Sequence, residues 1–298
     1  MKNLFAAAAA LGVMTSPACA QDMADVQISA QQIAPGIAVL FGRGGNIGVS
    51  HGTDGTILID DQYAPLTERI QAAIADLGAP PARFVVNTHW HGDHTGGNEN
   101  LSEDGATIVA HDNVRLRLAE GGNIRGNAIP PRPDALPTIT YDSGLTFHAN
   151  GDTIDILFLG SGHTDGDSIV FWREDNVLHM GDLFFHEFGW PFIDVDSGGN
   201  ALHLLSSLDL AIRMVDDETA IIPGHGPMAS KADLVAYRRM VGEGVRRVRA
   251  AHEGGLTLEQ TIAENPVDGL SGRTEAFISD EAFIRSVWHC MDAAPHRR

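Results

Sequence analysis

The stretch that most constrains this chain runs from Thr88 to Gly97, because it holds four potential metal ligands within six residues. These ligands are His89, His91, Asp93 and His94. The apolar run before them, residues 83–87, predicts a buried strand, and two glycines after them open a turn. Residues two apart in an extended chain point the same way, so the first two histidines are predicted to reach one metal ion, while Asp93 and His94 face a second position. A core would not bury these polar groups side by side without partners. The stretch therefore predicts a metal centre where a strand gives way to a helix.

Two later side chains occupy a comparable place, just past the end of a predicted strand. They are His163 in Gly-Ser-Gly-His-Thr and Asp182 in His-Met-Gly-Asp. Loops at one rim of a sheet can converge on a ligand, so both residues are candidates for the same site. Nine of the fourteen histidines lack a ligand-like context and are interpreted as surface residues or as partnered core residues. They are His51, His111, His148, His179, His186, His203, His252, His289 and His296.

The run from His89 to His94 resembles the signature of the metallo-β-lactamase fold superfamily. Four further motifs follow the family's order; they contain Asp60, His163, Asp182 and His225. The resemblance implies an α/β protein, a four-layer αββα sandwich formed by a single domain, with two metals at one sheet edge. It implies that His89, His91 and His163 hold the first metal, that Asp93, His94 and His225 hold the second, and that Asp182 bridges them. For Asp60 it implies hydrogen bonds that fix the shape of the metal loop. A carboxylate at a strand end is otherwise a common turn former, so both interpretations of Asp60 stay open.

Nitrogen and carboxylate ligands suit zinc, which predicts two Zn²⁺ ions per chain. The four positive charges of two such ions exceed the three negative charges of Asp93, Asp182 and a bridging hydroxide by about one. This remaining positive charge would attract a substrate carboxylate or a developing oxyanion. A metal lowers the pKa of its bound water to roughly 7, so metal-bound hydroxide is available to attack an amide or ester carbonyl. Asp93 is predicted to orient this hydroxide as well as to bind metal. Whether it also shuttles a proton stays open.

One departure from the family leaves the substrate open. β-Lactamases of the commonest subclass carry a cysteine where Asp182 stands and a basic residue where His94 stands. These two residues are instead similar to those of glyoxalase II and lactonases. A β-lactam is the leading candidate, and a lactone or thioester is the alternative. A mono-iron persulfide dioxygenase of the same fold is a redox alternative.

Aromatic residues follow Asp182 directly, and we predict that some of them line a substrate cleft. The residues in question are Phe184, Trp190 and Phe192, with Asn200 as a candidate carbonyl donor. The alternative is that the aromatic side chains belong to the core. Residues 120–140 are rich in glycine and proline and are predicted to contain no regular element. This segment either lies over the site or is a solvated decoration.

The spacing of apolar residues predicts the positions of the remaining strands and helices. Strands are predicted at 37–41, 46–49, 56–59, 83–88, 107–110, 145–148, 153–159, 168–172, 176–179 and 220–222. Helices are predicted at 65–77, 112–119, 201–214 and from 231 onward, with a capping box at 257–260. The glycines between 42 and 48 predict a hairpin turn rather than a dinucleotide fingerprint, because no helix follows them.

Residues 1–20 are predicted to be a signal peptide, followed by a hydrolase domain over 21–298. Lys2, the apolar run 4–13 and the sequence Ala-Cys-Ala at 18–20 are typical of export, with cleavage before Gln21. The expected location is periplasmic or secreted. Lipidation of Cys19 is the alternative, and it would tether the protein to a membrane.

The amino-acid composition limits the kinds of binding partner that this chain is expected to have. The net charge of −19 argues against nucleic acid and against an anionic membrane surface. No run after residue 20 is long and apolar enough to span a bilayer, so no membrane span is predicted. After cleavage Cys290 is the only cysteine, which permits no internal disulfide. The expected partner is a small-molecule substrate that carries a carboxylate; the oligomeric state stays open.

Overall fold

The computed structural model of this protein describes residues 23–273 and 276–292. The predicted signal peptide and its cleavage site lie outside the described residues. Within those two ranges, no helix has the length and apolar character needed to cross a membrane. The described chain is an α/β structure built on two sheets that pack face to face.

The first sheet contains seven strands. In chain order they are β1 (Ser29–Ala34), β2 (Ile37–Phe41), β3 (Ile47–Gly52), β4 (Gly55–Ile59), β5 (Ala82–Asn87), β6 (Thr107–His111) and β9 (Ile139–Tyr141). Two further strands, β7 (Gly122–Ile124) and β8 (Asn127–Ile129), form a separate hairpin between β6 and β9. Strands β1 to β4 form an antiparallel meander, whereas β4, β5, β6 and β9 run parallel. The turn between β2 and β3 is the predicted glycine-rich hairpin.

The second sheet contains five strands in chain order. They are β10 (Gly144–Ala149), β11 (Asp152–Phe158), β12 (Ser168–Trp172), β13 (Val177–His179) and β14 (Ala220–Ile222). The pairs from β10 to β13 are antiparallel, and β13 pairs with β14 in parallel. The carboxyl ends of the parallel strands β13 and β14 therefore lie at the same edge of this sheet.

Helices cover the outer face of each sheet. They are α1 (Thr67–Asp76), α2 (Gly92–Thr95), α3 (Asn98–Glu103), α4 (Asp112–Glu120), α5 (Ala201–Met214), α6 (Lys231–Glu253), α7 (Leu258–Glu264) and α8 (Asp280–Asp292). Helices α1 and α3 pack on the first sheet, and α5, α6 and α8 pack on the second. The predicted capping box is present at the start of α7, where Thr257 and Gln260 satisfy each other's backbone N–H groups.

The core explains why the two sheets stay together. Along β4, the side chains of Ile57 and Ile59 point to the second sheet, while Leu58 points to α1, as the two-residue period of a strand requires. Trp172 fills the space between the sheets and is fully buried. Each aliphatic side chain buried in this way contributes about 1.5–3 kcal/mol. The predicted four-layer αββα sandwich is confirmed.

The prediction that residues 120–140 contain no regular element is wrong. They hold the β7–β8 hairpin and a 3-10 turn at Pro133–Ala135. The hairpin closes through a two-residue loop, Arg125 and Gly126, which have φ values of 54° and 82°. Positive φ at both positions is what a tight hairpin turn needs. The prolines that argued against strands lie beyond the hairpin, so they do not interrupt its ladder.

Candidate metal centre

All seven predicted ligands lie together at the rim where the two sheets meet. The loop after β5 brings the first four, and α2 begins within this loop. His163 follows β11, and Asp182 and His225 follow β13 and β14. The side chains form two groups, and within each group the ligand atoms lie within 4.8 Å of one another. The first group contains His89, His91, His163 and Asp182, and the second contains Asp93, His94 and His225.

The carboxylate of Asp182 lies between the two groups. Its Oδ2 is 3.4 Å from His163 Nε2 and 3.8 Å from His89 Nε2. Its Oδ1 is 3.1 Å from His94 Nε2 and 3.5 Å from His225 Nε2. Each oxygen therefore faces a different group, which is the geometry that a bridging ligand needs.

Partners on the outer side of four histidines determine which ring nitrogen faces the centre. His91 Nε2 donates to Asp194 Oδ2 at 2.8 Å, and His163 Nδ1 donates to the carbonyl of Phe192 at 2.7 Å. In the same way His94 Nδ1 donates to Asp60 at 2.7 Å, and His89 Nδ1 lies 3.1 Å from the hydroxyl of Thr88. The inward nitrogens are Nδ1 of His91 and Nε2 of His89, His94 and His163. A histidine bound to metal is oriented by this kind of outer hydrogen bond.

The inward atoms fit a cation. His91 Nδ1 and His163 Nε2 are 2.9 Å apart, although both rings already use their other nitrogen as a donor. Two lone pairs therefore face each other. His89 Nε2 is buried and has no hydrogen-bond partner. An unpaired buried acceptor costs about 1–3 kcal/mol, and one divalent cation in the first group would satisfy these three nitrogens.

Electrostatics differ between the two groups. Burial lowers the pKa of His89 well below its ordinary value and lowers the pKa of His163 to about 4, so both rings are neutral near pH 7. Burial also acts against the charge on His225, but the carboxylates of Asp182 and Asp93 outweigh it and raise its pKa to about 9. Burial opposes the charge on Asp93 as well, yet His94 and His225 hold its pKa at about 2.

Asp60 supports the metal loop directly. It is fully buried at the end of β4, with a φ of 66°, and its Oδ1 accepts the backbone N–H of Thr88 at 2.7 Å. Its Oδ2 accepts from the Thr88 hydroxyl at 2.8 Å and from His94 Nδ1. One carboxylate thus fixes the strand end and one candidate ligand, beyond what a simple turn former does.

Two glycines let the backbone approach the centre closely. A Cβ on Gly45, in the turn between β2 and β3, would lie 2.1 Å from His94 Cε1. A Cβ on Gly224 would lie 2.1 Å from Asp182 Oδ1. Only a residue without a side chain fits at either position. The turn predicted from its glycines alone therefore forms one wall of the centre.

A cavity of about 600 Å³ opens beside the two ligand groups. Residues from several parts of the chain line it; they include His91, Asp93, Asp182 and His225 from the centre, Phe185, Phe188 and Phe192 from the segment after β13, Ile124 and Arg125 from the β7–β8 hairpin, and Phe277. The ring of Phe192 stacks on His91 with centroids 5.7 Å apart, and Phe185 stacks on His225 at 5.5 Å. The cavity thus joins an apolar wall to the polar centre.

Of the four predicted substrate contacts, the structure brings only Phe192 to this cavity. Phe184 and Trp190 are fully buried in the core beneath α6 and α8, where Trp190 stacks on Phe283 at 4.0 Å. Asn200 is the N-cap of α5, and its side chain accepts the backbone N–H groups of Leu202 and His203. The aromatic run alternates between core and cavity, a distinction that its composition alone does not reveal.

Sequence reasoning missed two carboxylates that organise the centre. Asp194 holds His91 and also accepts from the hydroxyl of Ser197 at 2.6 Å. Asp167 is buried and accepts the backbone N–H groups of Gly162, His163 and Thr164 at 2.6–3.0 Å. Asp167 lies four residues after a candidate ligand, so a turn motif could have indicated it. Asp194 has no such signal, because its partner is 103 residues away in sequence.

Comparison with known proteins agrees with this geometry. The family model of the metallo-beta-lactamase superfamily matches residues 40–225, and the chain belongs to this superfamily. It is therefore a member of a metallohydrolase superfamily, with His/Asp clusters able to hold a metal.

Individual relatives are distant. The Beta-lactamase-like protein 2 homolog of Caenorhabditis elegans is 24% identical over 221 residues, which cover 70% of this chain and 68% of the relative. A hydroxyacylglutathione hydrolase of Methylococcus capsulatus is 28% identical over 227 residues, covering 72% and 78%. Metallo-beta-lactamase type 2 of Bacteroides fragilis is 24% identical over 199 residues, covering 63% and 74%. A metallo-beta-lactamase structure from Pontibacter korlensis superposes with a TM-score of 0.61 at 19% identity, covering 72% of this chain and 99% of that one, which shows a shared fold.

Proposed function

We propose that this protein is an exported hydrolase that binds two zinc ions and opens a cyclic amide or ester, with a β-lactam as its first candidate substrate. The observation that carries the proposal is the position of Asp182, whose two oxygens face two separate ligand groups. His89, His91 and His163 would hold one ion, and Asp93, His94 and His225 would hold the other. Nitrogen and carboxylate donors without a thiolate suit zinc and require no redox chemistry.

Bound zinc supplies a hydroxide nucleophile at neutral pH and a Lewis acid for the carbonyl oxygen. The protein supplies orientation. The side chain of Asp93 is 24% exposed and lines the cavity, with Oδ2 3.3 Å from His225 Nε2. Because its pKa is held at about 2, Asp93 is an acceptor throughout the neutral range and can hold a proton of the nucleophile in place. Phe185, Phe188 and Phe192 give the cavity an apolar wall beside the centre.

Two arguments favour a β-lactam. The similarity to the lactamase of Bacteroides fragilis spans most of that protein. Export, which the first twenty residues predict, would place the enzyme where β-lactam antibiotics act. A thioester or lactone is the second candidate, because the hydroxyacylglutathione hydrolase of Methylococcus capsulatus is also similar over most of its length. Asp182 in place of a cysteine favours this second candidate.

Metal analysis and a substrate panel test the proposal. Purified protein is expected to hold two zinc ions per chain, and His163→Ala and His225→Ala should each lose one. Hydrolysis of a cephalosporin, a carbapenem, an acyl-homoserine lactone and a glutathione thioester is then compared at equal enzyme concentration. A kcat/KM of about 10⁴ M⁻¹s⁻¹ or more identifies the substrate class. Activity on lactones or thioesters, with every β-lactam a thousandfold slower, would replace the lactam by the second candidate.

A mono-iron centre with oxygen uptake on a persulfide would overturn hydrolysis altogether. Asp182→Ala gives an independent check, because the two groups would lose the ligand that they share. Near-normal turnover in that variant would contradict the bridging role.

We infer that the mature chain begins at Gln21 and acts in the periplasm or outside the cell. Lys2, the apolar run 4–13 and the small residues at 18–20 support this inference. Intact mass spectrometry of protein from the native cell measures the amino terminus. A lipid-modified Cys19 would instead show that the enzyme is tethered to a membrane.

A further inference from the structure

Arg125 occupies an unusual backbone position at the mouth of the cavity. It is the first of the two loop residues of the β7–β8 hairpin, with a φ of 54°. Such positions strongly favour asparagine, aspartate or glycine, since a left-handed conformation costs other residues roughly 1–2 kcal/mol. An arginine here is therefore a poor choice for the turn itself. Its side chain is the part of the residue that a function would require.

The guanidinium of Arg125 lies against two aromatic rings of the cavity. Its central carbon is 5.7 Å from the ring centroid of Phe192 and 5.6 Å from that of Phe277. A cation–π contact does not consume the N–H donors of a guanidinium. No carboxylate among residues 23–273 and 276–292 forms an ion pair with Arg125. The group is thus a positioned cation with donors available.

Arg125 is also close to the metal centre. Phe192 lies between them, because its ring stacks on His91 at 5.7 Å and its carbonyl accepts from His163 Nδ1. The distance from the guanidinium to the His91 ring cannot exceed the sum of two contacts of 5.7 Å each. A small molecule of this length would reach from the centre to Arg125.

The space between these two ends is apolar. Phe188 and Phe277 line the cavity and remain 37% and 54% exposed, which is unusual for side chains of this size. Phe185 and Ile124 complete the same wall. Covering these side chains would remove apolar surface from water and favour a ligand with an aryl or alkyl group.

We propose that Arg125 binds the anionic group of a small amphiphilic substrate and sets the preference for acids over neutral analogues; this rests on the proposed hydrolase function. The substrate class is an aryl or alkyl carboxylic acid with a hydrolysable amide, ester or thioester, small enough to reach from Arg125 to the metal centre. The planar fork of arginine matches a carboxylate through two parallel hydrogen bonds. On a chain of net charge −19, a fixed local cation is what offsets the general repulsion of an anion.

The test compares a substrate acid from the panel with its methyl ester at the carboxylate, using zinc-loaded wild type, Arg125→Gln and Arg125→Lys. Loss of a charged hydrogen bond is expected to lower kcat/KM for the acid by about 10–100-fold in Arg125→Gln, mainly through KM. Hydrolysis of the methyl ester should stay within about twofold. Arg125→Lys should recover part of the loss, since it keeps the charge but not the fork. Arg249→Gln, an exposed arginine on α6, is the matched control.

An unchanged ratio of acid to ester in Arg125→Gln overturns the proposal. Equal losses on both substrates also overturn it, because they would show a structural role only. If wild type hydrolyses no member of the panel, the hydrolase function fails, and equilibrium binding then decides the role of Arg125. Phenylacetate should bind wild type at least fivefold more tightly than Arg125→Gln by calorimetry, whereas phenylacetamide should not distinguish them. Equal binding of phenylacetate by both proteins would again overturn the proposal.

Discussion

The carboxylate of Asp194 fixes the tautomer of His91 by accepting a hydrogen bond from its Nε2. Asp194→Asn preserves the shape of the side chain but can present its NH₂ group to Nε2, which then no longer needs to carry the proton. The inward Nδ1 would acquire that proton and lose its ability to bind metal. We expect zinc affinity of the first group to fall about 10–100-fold, the usual cost of losing such an outer partner. Competition with a chromophoric chelator measures this change.

Asp196→Asn is the matched control, because Asp196 is exposed in the same short 3-10 turn and carries the same charge. It should bind zinc as wild type does. Equal weakening in both variants would mean that the effect arises from net charge or from the turn, and the orienting role of Asp194 would be wrong.

The two ligand groups should load metal at different pH. In the metal-free protein the pKa values of His89 and His163 are lowered by burial, so these rings bind metal without releasing a proton in the neutral range. The pKa of His225 is raised to about 9, so its proton competes with metal at every pH below that value. Nearby carboxylates also raise the pKa of His94 against the effect of burial.

Metal content is therefore expected to fall from two to one per chain on acidification from about pH 8 to pH 6, with the second group emptying first. Elemental analysis after equilibration with limiting zinc measures the ratio at each pH. His225→Ala should hold one metal across this range. Simultaneous loss of both metals in wild type would contradict the assignment of two separate groups.

At the scale of elements, Arg132 links the segment after the β7–β8 hairpin to the metal loop. Its guanidinium donates to the hydroxyl and carbonyl of Thr95 at 3.0 and 2.9 Å and to the carbonyl of Gly96 at 3.3 Å. These carbonyls end the short helix α2, which carries Asp93 and His94. Arg132→Met should lower the free energy of unfolding by about 2 kcal/mol, because the cost of burying the guanidinium offsets part of the gain from its three hydrogen bonds, which is about 1.5–3 kcal/mol for a single charged one.

Thermal unfolding followed by circular dichroism measures this loss, expected as a decrease of about 4–8 °C in the midpoint. Arg249→Met on the exposed side of α6 serves as the control and should change the midpoint by less than about 2 °C. A variant at Arg132 that is as stable as the control would show that α2 is held by its own contacts.

Particular elements show what the sequence could predict. Strand β12 and helix α5 match their predicted ranges, because apolar periodicity and clear turn signals define both. The candidate metal ligands could be predicted from the sequence, because a metal site requires several polar side chains next to buried strands. The hairpin at 122–129 was missed, because it lies among glycines and prolines and its pairing depends on packing against the rest of the chain.

Side chains that act across the molecule were the least predictable. Asp194 reaches His91, and Arg125 reaches Phe277, only after the chain has folded. Neither pair has a fixed spacing in sequence. Likewise Phe184 and Phe185 are both buried in the core, but only Phe185 also lines the cavity beside the metal centre, because successive side chains of an extended segment point in opposite directions.

For the whole molecule, metal should stabilise the fold by binding the native state alone. A free zinc concentration 100 times the dissociation constant adds about 2.7 kcal/mol per site. Chelation is therefore expected to lower the midpoint of thermal unfolding, and added zinc should restore it. His163→Ala should show a smaller decrease on chelation than wild type. An equal midpoint with and without chelator would mean that the two groups do not bind metal tightly in the folded protein.

The origin of the ligands in both sheets has a consequence for the order of folding. His89 and His91 follow β5 of the first sheet, whereas His163, Asp182 and His225 follow strands of the second. Each ligand group draws on both sheets, so neither sheet alone completes a group. Closing loops between residues 89 and 225 costs entropy that only the packed core between the sheets repays. Metal uptake during refolding should therefore be a late event, and its rate would report the moment at which the two halves of the chain meet.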